Sequence, residues 1–394
     1  MRSPYFTTEH NTFRERVRRF ISQEVLPFAD DWEYNRCIPK EIWQKMGQMG
    51  FLGINYPKAY GGSEMDFFFS VVFLEEIGRA GYGGFRAAVS VHEYMATYYI
   101  AHAGSDELKR KYLSPAIAGE KLGALGITER NAGSDINQIQ TSAVHDGDNY
   151  IVNGAKTFIT SGTTADFVTL AVRTTPSKAM SKRGATGISL LVVDTDSEGL
   201  STKKLDNKIG WHCSDTAELY FKNVRVPAEN LVGRFNCGFY YIMQCFQLER
   251  LTAGIVALGE IDHCLEVTRR YIAQRKAFSS PLTNFQALRH RIADLVTDVE
   301  AARQLIYHTA WLYQQGELPI AECSMAKLKV TELANRVVNE CLQFHGGYGY
   351  LEEYPIARMY RDIRVGTIAG GTSEIMREII AQITIDEVRH DSRT

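Results

Sequence analysis

Five separated stretches of this chain carry residue types suited to holding a polar, partly aromatic ligand. They are "GITERNAGSD" at 126–135, "KTFITSG" at 156–162, "QRKAFSSPLTNFQ" at 274–286, "QFHGGYGY" at 343–350 and "IAGGTSEIM" at 368–376. Thr128 and Thr160 offer hydroxyls beside apolar Ile127 and Phe158. The Arg275 guanidinium can pair with phosphate, while Gly346 and Gly347 permit close backbone approach. In the last stretch two glycines precede Thr372 and Glu374, a combination that caps a helix and suits its start to phosphate. Singly, each has a plainer reading: a strand threonine packs, and a glycine pair makes a turn. Only the joint pattern argues for a site.

The elements that must position these residues fall into three blocks. Residues 1–121 read as helical: Phe13, Val17, Phe20, Ile21 and Val25 recur at helical spacing, Pro27 closes that segment, and "IPKEIWQKMGQMGFLGI", "DFFFSVVFLEEIGRA" and "VSVHEYMATYYIAHAG" supply further helices. Residues 122–233 change texture to short β-branched and aromatic runs bounded by Gly, Asp, Asn or Pro, including "YIVNGAKTFIT", "DFVTLAVRT", "GISLLVVDT" and "AELYFKNVRVP". This predicts an antiparallel β domain of about six to eight strands, with a hairpin at "HDGDNYIVNG". Residues 234–394 return to helix, with Leu248, Leu251, Ile255, Leu258, Ile261 and Leu265 on one stripe and long helices over about 285–315 and 320–343. Short connections predict an antiparallel, four-helix-type bundle. The fold class expected is multidomain α+β.

Composition narrows the function. A net charge of −2 gives no electrostatic footprint for nucleic acid. The seven cysteines are odd in number and show no CxxC spacing, so neither a disulfide scaffold nor a structural zinc site is expected, and no metal is expected elsewhere. The charged N-terminus lacks an apolar signal-peptide core, and no run approaches the roughly 18 apolar residues of a membrane span, so a cytoplasmic location is expected. No GxGxxG follows a strand, and HExxH, GxSxG and P-loop patterns are absent.

In order and on this architecture, the five motifs resemble the acyl-CoA dehydrogenase family along essentially the whole chain. The resemblance implies FAD, a fold of helical bundle, β domain and helical bundle, a homotetramer arranged as a dimer of dimers, and α,β-dehydrogenation of an acyl-CoA thioester in fatty acid β-oxidation. It places Ile127, Thr128, Phe158 and Thr160 around the isoalloxazine. Arg275, Phe278, Gln286, Gln343, Gly346 and Gly347 match positions that reach the FAD of a neighbouring subunit, and Thr372 and Glu374 match further FAD contacts. Ser134 matches a CoA contact and Arg250 a residue near the acyl-CoA; electron-transfer flavoprotein is the implied acceptor. The chain departs from the family pattern at Arg130, usually Pro, at Ala277, often Thr, and at Ser279, usually Gly.

A further departure concerns catalysis. Many relatives read I-Y-E-G-T where this chain has Ile368, Ala369, Gly370, Gly371 and Thr372, so the usual base is missing at Gly370. A thioester α-carbon is a feeble acid and needs a positioned base. In the isovaleryl-CoA and long-chain branches, a Glu just before an Arg in the stretch matching "QLERLTAG" serves instead, and this chain has Glu249 before Arg250. The resemblance then implies that Glu249 takes the α-proton and flavin N5 the β-hydride. A ribityl hydroxyl and the Gly370 N–H would polarise the thioester carbonyl. Burial should raise the Glu249 pKa. Ala369 in place of Tyr opens the pocket to a branched acyl group. Arg86 aligns with the arginine that holds a distal carboxylate in glutaryl-CoA dehydrogenase, although an inter-helix ion pair is its more ordinary role. An acyl-CoA oxidase and a lapsed, non-catalytic acyl-CoA binder are the competing readings.

Overall fold

The computed structural model describes residues 3–175 and 187–386. Helix α1 (Thr8–Phe20) opens on a reciprocal cap: the Thr7 hydroxyl accepts from the His10 N–H, and His10 Nδ1 accepts from the Thr7 N–H at 3.0 Å. There follow α2 (Ala29–Asn35), α3 (Lys40–Gln48), α4 (Phe67–Arg79), α5 (Gly83–Val91), α6 (Thr97–Ala103), and the short α7 (Asp106–Leu108) and α8 (Ser114–Ile117). Helix α3 ends earlier than its apolar run suggests. Gly50 and Gly53 take positive φ of 69° and 72°, which turns the chain back and ends the helical path. A π-helical turn at His92–Ala96 joins α5 to α6, where buried Glu93 faces inward and accepts from the backbone N–H groups of Gly53 and Ile54.

The sheet comprises β1 (Gly123–Gly126), β2 (Ser142–Asp146), β3 (Asn149–Thr160), β4 (Phe167–Arg173), β5 (Ile188–Asp194), β6 (Leu200–Lys204), β7 (Thr216–Pro227) and β8 (Leu231–Val232). The spatial order is β6-β7-β3-β2-β4-β5-β8, with β1 also paired to β4. It is mixed, which corrects the expected all-antiparallel domain: β1 runs parallel to β4 from Gly123↔Phe167 to Gly126↔Leu170, and β2 meets β4 parallel at Ser142↔Arg173. The physical reason is connectivity. Strand β1 comes straight from the helical block, so no hairpin dictates its direction. Strands β4 and β5 are buried on both faces, and Thr169 of β4 donates to the Ala96 carbonyl of the helical block at 2.8 Å.

Helices α9 (Gly238–Gln274), α10 (Gln286–Gln314) and α11 (Ile320–His345) form the C-terminal bundle, with α12 (Pro355–Ile363) and α13 (Ser373–Ala381) packed on α11. A two-stranded hairpin, β9 (Lys276–Ala277) and β10 (Ser280–Pro281), sits between α9 and α10. Helix α4 crosses α9 where both carry glycine: a Cβ on Gly259 would lie 2.1 Å from the Glu75 carbonyl oxygen, and one on Gly78 would lie 2.4 Å from that of Val256. This close approach lets one apolar core run from Val71 and Val72 through Leu251 and Ile255 to Val330 and Leu333, so α9 is held rigidly from both sides.

Candidate active site

Helix α9 is buried on every face from Gln247 to Thr252, and this places Glu249 and Arg250 inside the protein, 6% and 5% exposed. Glu249 Oε1 and Arg250 Nε have no hydrogen-bond partner among the described residues. The other end of the Arg250 guanidinium donates to Gln247 Oε1 at 3.1 Å and lies 5.9 Å from the Phe246 ring centroid. Burial pushes the Glu249 carboxyl up to about 7, against the opposing pull of the Arg250 and Lys327 charges. An unpartnered buried carboxylate is costly and is rarely kept without a function.

The third member of this group is Lys327, on α11, whose side chain is almost wholly buried. Its ammonium donates to the Ala369 carbonyl at 2.7 Å and also to the Gly371 carbonyl. It thereby fastens the segment before α13 to the bundle. Within that segment Gly370 and Gly371 take positive φ of 64° and 90°. A Cβ on Gly370 would meet nothing within 4 Å, so the position faces open space, as Ala369 does by its exposure. The Thr372 hydroxyl caps α13, accepting from the Ile375 N–H at 3.3 Å, and Glu374 is exposed in the first turn, its carboxyl held low by backbone N–H and Thr372. Lys327 carries little signal in the sequence: it is one of two lysines in "CSMAKLKV", and nothing local separates it from Lys329.

The motifs at 126–135 and 156–162 meet in the sheet. Thr157 donates its backbone N–H to the Thr128 carbonyl at 2.9 Å. A register shift between β3 and β7 separates Lys156 from Ile159, and there Phe158 takes a positive φ of 59° and turns outward, 68% exposed. Buried Lys156, the first residue of the 156–162 motif, donates to the Ile127 carbonyl at 2.9 Å and to Glu129 at 2.8 Å. Glu129 also accepts the backbone N–H groups of Gln140 and Thr141. Ile127 is buried, Thr128 and Thr160 are half-buried, and Ser134 is exposed.

At the other end of the bundle, Arg275, Gln343, Gly346 and Gly347 line one open cleft of about 370 Å³ together with Tyr271 and Tyr348. The Arg275 guanidinium stands 5.4 Å from the Tyr348 ring centroid. Cβ atoms on Gly346 or Gly347 would meet nothing within 4 Å, so their backbone is open to a ligand. Phe278 and Gln286 lie outside the cleft's lining: Phe278 is 93% exposed at the β9–β10 turn and Gln286 begins α10 on the surface. Both turn residues, Phe278 and Ser279, have positive φ, 47° and 64°. The departure from glycine at Ser279 is therefore conformational as well as chemical.

This donor set fits a flavin dinucleotide. A guanidinium, an amide and open glycine backbone suit a pyrophosphate, and an outward aromatic ring together with two half-buried threonines supplies residue types suited to a ring system with polar edges. Arg86 stands apart, its Nε on Glu260 Oε1 at 2.9 Å and its guanidinium 4.6 Å from the Trp211 ring centroid. That is the inter-helix ion pair of its more ordinary reading. Among the described residues no His, Cys, Asp and Glu group could hold a metal ion, and no helix is long and apolar enough to cross a membrane.

Comparison with known proteins follows the same three blocks. Family models match residues 7–120 as acyl-CoA dehydrogenase N-terminal domain, 124–224 as middle domain and 236–385 as C-terminal domain. The chain is 40% identical to the mitochondrial long-chain specific acyl-CoA dehydrogenase of Sus scrofa, over 98% of this chain and 88% of that one. It is 36% identical to a subunit of the caffeyl-CoA reductase–Etf complex of Acetobacterium woodii, over 96% of this chain and 98% of the other. An acyl-CoA dehydrogenase crystal structure from Geobacillus kaustophilus superposes with a TM-score of 0.94 at 42% identity, covering 98% and 100% of the two chains.

Proposed function

Since the chain belongs to the acyl-CoA dehydrogenase family of FAD-dependent oxidoreductases, we propose that it desaturates the α,β bond of a medium- to long-chain or branched acyl-CoA, with Glu249 as the base. The observation that carries the assignment is the buried Glu249 carboxyl, with Oε1 unpartnered and its pKa near neutrality. A base of that pKa is charged often enough at neutral pH to accept a proton and basic enough to pull one from a weak carbon acid.

Bound FAD would supply the hydride acceptor, held by Thr128, Phe158 and Thr160 on one side and by Arg275, Gln343, Gly346 and Gly347 on the other. The open position at Gly370 leaves its backbone N–H to polarise the thioester carbonyl, which acidifies the α-carbon. Glu249 Oε1 then takes the α-proton, and burial keeps competing water from the Glu249 carboxyl. Arg250 supplies positive charge that holds the Glu249 carboxyl lower than burial alone would, Ser134 is assigned to CoA, and Ala369 leaves room for a branch. Electron-transfer flavoprotein is the proposed acceptor. The wholly surface-lying Phe278 and the open Arg275 cleft support FAD sites completed by a neighbouring subunit in a homotetramer.

Anaerobic mixing with straight, branched and dicarboxylic acyl-CoAs tests this reading. Bleaching of the flavin by a straight or branched substrate is expected, and a flavin that no saturated acyl-CoA bleaches overturns it. A second reading is the reverse reaction, favoured by the relative in a caffeyl-CoA reductase–Etf complex. Run backwards, the same site has protonated Glu249 deliver a proton to the α-carbon. Reoxidation of dithionite-reduced enzyme by an enoyl-CoA, faster than bleaching by its saturated partner, would select that direction.

A further inference from the structure

We propose that Lys327 is a positioning residue that fixes and strengthens the Gly370 N–H as the donor to the thioester carbonyl. The argument starts from one peptide plane. The Ala369 carbonyl and the Gly370 N–H belong to the same planar amide and point in opposite directions. The Lys327 ammonium donates to that carbonyl at 2.7 Å. A cation on the oxygen side both locks the plane and draws electron density from the N–H, which becomes a better donor. The second bond, to the Gly371 carbonyl, fixes the 371–372 plane, so the two-glycine stretch is held at both ends. A clamp is needed here because Gly370 and Gly371 are the most permissive residues the chain could use, held at positive φ of 64° and 90°. Among the described residues the Gly370 N–H meets no acceptor, so it is available to a ligand.

Burial adds the second observation. Lys327 forms no ion pair with a carboxylate among the described residues, although its side chain is almost wholly buried. Its hydrogen bonds go to these two carbonyls. A purely structural anchor could be an uncharged donor. The charge sits instead where it acts on Glu249 as well, which it holds lower than burial alone would. The titratable and charged groups around this pair are Arg250 and Cys245 on α9, Cys323 on α11 and Tyr99 on α6, and none of them contacts the 369–371 carbonyls.

The inference rests on the reading of Glu249 as base, and three variants of the FAD-loaded enzyme separate the two ideas. Lys327→Met removes donor and charge, Lys327→Gln keeps a donor without charge, and Lys327→Arg keeps the charge. For Lys327→Met, hydrogen exchange across 366–376 should rise. Its bleaching rate should fall about a hundredfold, the usual worth of one oxyanion donor, with little change in the acyl-CoA concentration for half-saturation. The pH midpoint of bleaching should move upward in both Met and Gln variants, because a cation beside Glu249 is gone, and should stay put in Arg. Exchange restored in Gln with a shifted midpoint fits the double role. Unchanged exchange and an unmoved midpoint in Lys327→Met would overturn it. Failure of the base reading shows elsewhere, as near-normal bleaching by Glu249→Gln; the exchange of 366–376 then still decides the clamp.

Discussion

Glu249 and Arg250 are neighbours in the chain and both are buried, yet they form no ion pair: Glu249 Oε1 and Arg250 Nε each lack a partner among the described residues. Consecutive helical residues point about 100° apart, so an adjacent pair cannot face one another. The arrangement places two opposite charges in one desolvated region while leaving the carboxyl oxygen without a hydrogen-bond partner. Glu249→Gln keeps the shape and removes the basicity. It should fold, bind FAD and bind acyl-CoA, while flavin bleaching slows by about two to four orders of magnitude. Stopped-flow reduction under anaerobic conditions measures this, and near-normal rates would remove Glu249 from the mechanism.

The pH dependence has a definite sign. Only the ionised carboxylate can accept the α-proton, so bleaching should rise with pH to a plateau above about 7, the value to which burial pushes Glu249. Lys327, lowered by burial to about 8, begins to lose its charge over the next unit, which should weaken the upper end of that plateau. A profile flat from pH 5 to 9 would contradict both assignments.

Stability should run the other way. Between the ordinary carboxyl value of 4.5 and about 7 the folded protein holds a proton at Glu249 that the unfolded chain has released. Folding stability therefore falls as pH rises across that window. Relative to wild type, Glu249→Gln should gain up to about 3 kcal/mol above pH 7 and little below pH 4.5, since it never carries the buried charge. Thermal unfolding at pH 5 and 8 checks this; an equal difference at both values would show that Glu249 does not titrate in this range.

The hairpin between α9 and α10 gives an independent test. Phe278 and Ser279 occupy both central positions of a two-residue turn with φ of 47° and 64°. Such turns favour Asn or Gly because a side chain crowds the left-handed region. Ser279→Gly should raise stability by about 1 kcal/mol without slowing bleaching. A loss of stability would mean that the Ser279 side chain contributes something the turn geometry does not show.

How legible was this from sequence? The three blocks were, because periodicity changes from helical to short β-branched runs and back, and the long helices at 286–314 and 320–345 ended within about two residues of their expected limits. The sheet's mixed character was not, because β1 is four residues long and its partner β4 lies more than forty residues away. Pairing direction over that separation is decided by tertiary docking and leaves no local pattern. The candidate cofactor positions rest on the resemblance across several glycine and threonine motifs, since each residue alone reads as a packing or turn position. The two buried lysines, Lys156 and Lys327, left almost no trace. Each is an ordinary lysine in its own segment, and its meaning comes from carbonyls 29 and 42 to 44 residues away.

The last test asks whether the base can be moved. Gly370→Glu in the Glu249→Gln background puts a carboxylate where commoner relatives carry theirs, and the structure shows room for it, with nothing within 4 Å of the new Cβ. Space is not the obstacle; backbone conformation is. At φ of 64° a Glu costs about 1 kcal/mol or more unless the segment relaxes, and Lys327 bonded to Ala369 and Gly371 resists relaxation. If the segment shifts to relieve the strain, the Gly370 N–H moves with it, and a displacement near 1 Å can cost a hundredfold. The double variant should therefore bleach faster than Glu249→Gln alone yet remain at least about tenfold below wild type. It should favour shorter, unbranched chains as the new side chain narrows the space left by Ala369. Recovery to the wild-type rate would show that the 369–371 segment is not held as tightly as its two lysine bonds indicate. No recovery, with FAD and acyl-CoA still bound, would show that a carboxylate on this segment cannot reach the α-carbon that the proposed mechanism assigns to Glu249.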